Sequence, residues 1–420
     1  MSASPVVNDL DLPVFDYTEP GLVGDVYHQR LAQVRAQGWL ARSPLAYVVL
    51  DRESGEFFLR ARQTAFPGRE IADLFGVTEG PLRDSIDANI LNLTGDRHRR
   101  LRALVGPAFT PRAAARWRPA MRGFLGQLWA ALGGAAECEF VSAVAKPYPS
   151  LTIAAVLGAP AADAPRLHEW SGWVQRQFDI RALAAEAPRI ERAVTELQDY
   201  VEDLLEQRRR EPSDDLISAL LAAEEEGEKL THAECVNLVL NVVAGGVDTT
   251  QAQLSHAMAL FARCPGQWAA LAREPGLVSR AVEEVLRFEP ITPFTARICT
   301  DPISYRGVVF PAGTIVAICA EQANRDLPGG EEFNITRDTG GRLLTFGAGP
   351  HFCLGSNLAR AELEEAFTFL APRLPGLHLA GEPQLGGIEG IYGLDTLPLA
   401  WSPAEGSRAG GQGASLGTGS

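Results

Sequence analysis

One of the chain's six cysteines stands apart from the others: Cys353, in the run FGAGPHFCLGSNLAR (346–360), just before a stretch that reads as a helix. Glycines at 347, 349 and 355 let backbone come close to a sulfur without a Cβ clash. Peptide N–H groups freed by those glycines, the positive end of a helix opening near Gly355, and Arg360 all favour thiolate over thiol. A lone thiolate cannot build a zinc or iron–sulfur site, which needs several protein ligands. It can be the axial ligand of a haem, whose porphyrin supplies the other four donors. On this residue alone, the reading as a reactive or simply buried cysteine wins.

Two further stretches carry chemistry-bearing residues. In AGGVDTT (244–250), two consecutive glycines interrupt what is otherwise a long helix, at about 1 kcal/mol each relative to alanine. Asp248 and Thr249 follow them, and a carboxylate beside a hydroxyl can hand protons to a reacting oxygen through water. The alternative is a packing glycine pair followed by solvent-facing polar residues. In GDRHRRLR (95–102), His98 and Arg102 lie at i, i+4 on one helix face. The same run, with Arg97, Arg99 and Arg100, is the densest basic cluster of an acidic chain whose net charge is −14.

That charge argues against nucleic acid or an anionic membrane as the main partner. Only Lys146 and Lys229 are lysines, so nearly all positive charge is arginine. The cysteines form no C-x-x-C pair, and the start MSASPVVNDLDLP has no basic n-region; both point to a reducing cytoplasmic setting without a signal peptide. The longest apolar run, VNLVLNVVAGGV, is too short and too polar to span a bilayer.

The elements that must position these residues are mostly helices. APRIERAVTELQDYVEDLLEQRRR (187–210) keeps apolar residues at three-to-four spacing. THAECVNLVLNVVAGGVDTTQAQLSHAMALFARCP opens on a capping box, Thr231 with Glu234, and stops before Pro265. At 1.5 Å per residue that is about 48 Å of helix, which must cross the middle of the fold. Strand signals are fewer: a hairpin over 39–53 and another over 306–320 with a Pro-Ala-Gly-Thr turn. The reading is a mainly α fold with a minor β part: a single domain over 13–401, a loose arm over 1–12 and a Gly/Ser-rich tail from 402.

Position by position, Phe346, Gly347, Gly349, His351, Cys353, Gly355, Leu358, Ala359 and Arg360 resemble the haem-ligand signature of the cytochrome P450 monooxygenases. Glu284 and Arg287 in EEVLR resemble that family's E-x-x-R. Arg337 in FNITR resembles its third partner, with Asn334 where Asp is usual, a change expected to weaken one local cap. The resemblance implies the P450 fold, a triangular-prism helical domain with small sheets around a buried haem b held by the Cys353 thiolate. It further implies that Phe346, His351 and Gly355 adjoin the haem and that His98, Arg102, Arg297 and His351 meet its propionates. Gly245 and Gly246 would open a groove for O2, with Asp248 admitting protons and Thr249 hydrogen-bonding the bound oxygen.

The implied activity is O2-dependent hydroxylation or epoxidation of a small-to-medium apolar substrate. Electrons would come from a separate ferredoxin or flavodoxin with its reductase, to a monomer whose Arg99 and Arg100 dock the carrier. The resemblance places residues 71–93, 166–183, 291–295 and 387–395 around the substrate, with Trp170, Trp173, Phe178 and Phe294 as pocket or core. A peroxide-using or non-oxygenating haem-thiolate enzyme is the rival reading, with a haem-based sensor further off. Asp248 and Thr249 together argue against both.

Overall fold

The computed structural model describes residues 4–225, 230–338 and 343–402. The tail expected from 402 onward lies outside them apart from Ser402. The helices that build the site are numbered here in chain order: α1 (Gly95–Val105), α2 (Pro147–Leu157), α3 (Ala164–Gln175), α4 (Ile180–Arg210), α5 (His232–Gly246), α6 (Asp248–Arg263), α7 (Val278–Phe288) and α8 (Ser356–Leu370).

The expected central helix is two helices. Thr231 and Glu234 form the capping box at the start of α5, and α6 ends at Arg263 before Pro265. Between them Val247 belongs to neither helix, its backbone (φ −93°, ψ −68°) still in the right-handed region. Both halves are apolar around much of their circumference: Leu238, Val239, Leu240 and Val243 on α5, and Leu254, Ala257, Met258 and Phe261 on α6, are buried. A helix apolar on most sides must be surrounded, and α2, α3 and α4 pack around α5. Gly246 lets α2 approach: a Cβ there would lie 2.4 Å from Ile153 Cδ1, whereas one on Gly245 would meet nothing within 4 Å. The pair therefore divides its work, one glycine packing a helix and the other facing open space. Helix α4 covers the predicted 187–210 and continues upstream across a kink at Glu186, just before Pro188.

Strands β1 (Leu40–Arg42), β2 (Tyr47–Val49), β3 (Thr64–Ala65), β4 (Phe294–Cys299), β5 (Ile303–Tyr305), β6 (Val308–Phe310) and β7 (Ile315–Cys319) include a five-stranded sheet of order β1-β2-β7-β4-β3. The 39–53 hairpin is present as β1–β2, Leu40 opposite Val49. The 306–320 hairpin is not. Its turn forms, with Thr314 N–H donating to Pro311 O at 3.1 Å, but β6 pairs back with β5 while β7 leaves to join β2 and β4. Alternation and turn residues mark strands; which neighbour each chooses is a long-range matter.

The loose arm is also corrected. Val7 is fully buried among Leu40, Val49, Phe58 and Phe310. Val309 N–H donates to Pro5 O at 2.9 Å, and Asn8 accepts from Arg42 and from the Tyr47 hydroxyl. The acids of this segment face outward while its valines cover a sheet edge.

Candidate haem site

The loop before α8 turns twice through glycine: Gly347 and Gly349 sit at φ +69° and +71°, a region that strains any residue with a Cβ. Gly349 also lies against the backbone of Leu59 and Arg60, where a Cβ would be 2.9 Å from Leu59 O. The loop closes when Cys353 N–H donates to Phe346 O at 2.9 Å. The cysteine thus stands at the N-terminus of α8, capped by Gly355. Its sulfur is both reachable and crowded. The residue is exposed, which is what ligation requires, yet protein atoms around it push the thiol above its ordinary value. Amides of Gly355 and Ser356 and the charges of Arg102 and Arg360 pull the other way. Arg360 is otherwise committed: its Nε lies 2.5 Å from Glu283, and its guanidinium covers the Phe346 ring at 4.6 Å.

Around this sulfur the structure gathers the other basic residues read from the sequence. His98, buried on α1, packs its ring 4.3 Å from that of His351. Arg102, one turn on, donates to Phe352 O at 2.7 Å, one residue before the cysteine. Arg297 on β4 is buried at 4% exposure; its one hydrogen bond shown is to its own neighbour, Ala296 O, at 2.8 Å. Among the described residues no carboxylate pairs with it. Burial draws the Arg297 guanidinium down to about 10. Burial, then the charges of His98, Arg297 and Arg102, draws His351 down to about 3. His98 is lowered by burial and by Arg102.

Two imidazoles and two guanidiniums, His98 and Arg297 buried and His351 and Arg102 half-buried, stand beside one accessible cysteine with no acid paired to Arg297 among the described residues. Burying cations without anions is unfavourable, so this arrangement fits a ligand that brings its own negative charge. A porphyrin with two propionates and an iron needing one thiolate is such a ligand, and the donor set matches it: forked guanidiniums for carboxylates, one sulfur for the metal.

On the other side lies the break between α5 and α6. Thr249 Oγ1 donates to Gly245 O at 2.7 Å. Asp248, mostly buried, accepts from Ser171 Oγ of α3 at 2.5 Å, with His168 Nδ1 3.8 Å from its other oxygen. Burial raises the Asp248 carboxyl to about 6, against the pull of Ser171 and Lys146. Thr250 turns the opposite way, to buried Glu362 on α8 at 3.2 Å. Ser171, His168 and Glu362 were not legible in the sequence, since each meets the break only through helix packing.

Several expectations shift. Trp170 is core, its Nε1 donating to Glu196 at 3.0 Å, and Trp173 is sandwiched by Arg176 and Arg189. Phe178 packs on Phe66, and Phe294 stacks on Tyr17. Arg100 forks onto Glu234 at 2.7 and 3.0 Å, so its charge is largely matched, whereas Arg99 is exposed beside Asp96. The Asn334 cap is intact: its Oδ1 accepts from the Thr336 amide and hydroxyl at 2.9 and 2.7 Å, a job that an amide oxygen does as well as a carboxylate.

A haem-binding helical fold of this kind has known relatives. The solved structure of CalO2 superposes with a TM-score of 0.86 over 93% of this chain and 100% of its own, at 31% identity. The family model "Cytochrome P450" matches residues 168–371. Luteothin monooxygenase of Streptomyces thioluteus is 36% identical over 94% of this chain and 97% of its own length. Mycinamicin IV hydroxylase/epoxidase of Micromonospora griseorubida is 34% identical over 76% of this chain and 81% of its own. The chain belongs to the cytochrome P450 family. It is therefore an oxidoreductase of the bacterial haem-thiolate monooxygenase type, with O2 as co-substrate. Among the described residues, no helix is long and apolar enough to cross a membrane.

Proposed function

We propose that this monooxygenase places one oxygen atom of O2 on a C–H or C=C bond of an apolar substrate, with Cys353 as the iron ligand. Arg297, Arg102, His98 and His351 hold the propionates, and Phe346 and Gly355 adjoin the porphyrin. The observation that carries the reading is the buried Arg297, with no carboxylate partner among the described residues, gathered with His98, Arg102 and His351 around an accessible cysteine. When bound, the haem supplies the oxidising power. The chain supplies the protons that O2 activation consumes.

For that delivery the residues divide their roles. Asp248, with a carboxyl raised to about 6, exchanges protons near neutral pH, as a general acid should. Thr249, anchored by its hydrogen to Gly245 O, presents oxygen lone pairs toward the open space beside Gly245. The walls near the break, including Leu240, Val243 and Ala244, are apolar and buried, which excludes bulk water. Electrons come from a separate ferredoxin or flavodoxin with its reductase, delivered to a cytoplasmic monomer.

The test begins with the reduced holoprotein under carbon monoxide. The Soret band should carry the strong red shift of thiolate donation and lose it in Cys353→Ala. Luteothin and mycinamicin IV, taken from the names of the two relatives, are the first compounds to screen for a spin-state shift. A Cys353→Ala variant with undiminished turnover would reject the assignment.

A further inference from the structure

Helix α5 ends at Gly246 and α6 starts at Asp248, and carbonyls at a helix end need other donors. Here three successive carbonyls each accept from a side chain: Val243 O from Ser171 Oγ at 3.2 Å, Ala244 O from Gln175 Nε2, and Gly245 O from Thr249 Oγ1 at 2.7 Å. Two of these donors lie one turn apart on α3, so that helix holds the break as a bracket.

Ser171 stands in a second relation. Its oxygen is 2.5 Å from Asp248 Oδ2 and 3.2 Å from Val243 O, but a hydroxyl has one proton to give. With Asp248 ionised, that proton belongs on Oδ2; the separation suits an O–H···O⁻ bond, which runs about 2.5–2.7 Å. With Asp248 protonated, the carboxyl O–H donates to Ser171 Oγ, and the serine proton turns to Val243 O. The same heavy atoms then keep a hydrogen between Ser171 and Asp248 in both protonation states, Val243 O receiving the serine proton only when the carboxyl is protonated.

We propose that Ser171 is a positioning residue for proton delivery, its hydroxyl turning between Asp248 and Val243 O so that the carboxyl loads and unloads a proton without rearrangement. The proposal rests on the reading of Asp248 as the proton donor. The groups facing that carboxyl are Ser171 and His168 of α3, and Lys146 at the N-terminus of α2. Burial and then Lys146 lower His168 to about 4, so it is neutral where Asp248 titrates. Its buried Nδ1 has no hydrogen-bond partner and stands 3.8 Å from Oδ1, beyond hydrogen-bond reach.

The test is an infrared titration of the Asp248 carboxyl band in the holoprotein, assigned by its loss in Asp248→Asn. It needs no turnover. Removing the closest donor to the ionised form raises the carboxyl, so Ser171→Ala should move the midpoint up by about one pH unit, a tenfold change in the equilibrium. Ser171→Thr, which keeps the hydroxyl, should leave the midpoint in place, and Ser171→Cys should fall between. An unmoved midpoint in both Ser171→Ala and Ser171→Cys overturns the proposal.

A second arm measures the fraction of consumed O2 released as hydrogen peroxide. That fraction should rise in Asp248→Asn at all pH values, and in Ser171→Ala chiefly where the shifted carboxyl no longer ionises. A moved midpoint with no change of peroxide in Asp248→Asn would instead reject Asp248 as the donor, leaving the Ser171 contact intact but without that purpose.

Discussion

Two sets of buried arginines in this molecule look alike in sequence and behave differently in structure. Arg287 and Glu284 are both completely buried. They are joined by two hydrogen bonds of 2.7 and 2.8 Å, and Arg287 also donates to the carbonyls of Gly330 and Glu332 at 2.7 and 2.9 Å. Asn334 N–H gives Glu284 a further donor at 2.7 Å, and Arg337 stands 3.6 Å away. Within the Glu284–Arg287 pair, charge and hydrogen bonds balance inside the protein. Arg297 is buried nearly as deeply but among the described residues has only a neighbouring carbonyl. A closed network braces the fold; an open one awaits an anion from outside.

The largest expected effect comes from opening the closed set. Glu284→Ala leaves Arg287 charged in a dry interior, and breaking one side of a buried pair costs about 3–5 kcal/mol. Denaturant unfolding of apoprotein and holoprotein should both register it. A variant stable in both forms would show that the network is not a brace. Arg297→Leu should act in reverse. It removes an uncompensated cation, so the apoprotein should unfold no earlier than wild type. Haem transfer to an apoglobin acceptor should nonetheless accelerate by about 10- to 100-fold, the worth of a charged hydrogen bond. Equal losses of apoprotein stability in the two variants would erase the distinction.

A third, half-exposed network grades the comparison. Burial alone would raise the Glu234 carboxyl, but hydrogen bonds from Arg100, the Thr231 amide and Arg97 bring it down to about 2. A carboxyl lowered in the folded state contributes stability above its unfolded value of 4.5, and that contribution fades as pH falls toward 2. Wild type should exceed Glu234→Gln by about 1 kcal/mol at pH 7, solvent screening having reduced the pairing. The difference should shrink between pH 4.5 and 2. A constant difference across that range would assign the effect to the helix cap alone.

What could be read in the sequence follows the same division. The cysteine loop, E-x-x-R and the glycine pair are local strings whose physics is carried by spacing, and in the structure they form a closed loop, a buried ion pair and a helix break. The donors that hold the helix break were invisible because Ser171 and Gln175 are 77 and 69 residues from Asp248 and Ala244, the residues they hold, and a serine and a glutamine on a helix carry no signal. The hairpin over 306–320 failed for a related reason: β7 chose β2 and β4, partners far along the chain. Even Val7 looked like tail until the sheet edge that it covers was known.

The smallest effect concerns the surface of α1, where the sequence suggested a basic patch for an electron carrier. Arg97 and Arg100 both spend charge on Glu234, while Arg99 is 72% exposed and pairs with an exposed Asp96. If an acidic carrier docks here, Arg99 is the residue free to reach it, and a rim charge acts mainly on association rate and salt dependence. Arg99→Gln should therefore slow reduction of the haem by about twofold to threefold at low ionic strength. The difference should vanish as salt rises, with substrate affinity and stability unchanged. Arg100→Gln should behave otherwise, costing stability through Glu234 as well as rate. A slower Arg99→Gln rate that persists at high salt would point to a packed contact instead of steering. An unchanged rate at low salt would remove this face from the carrier's approach.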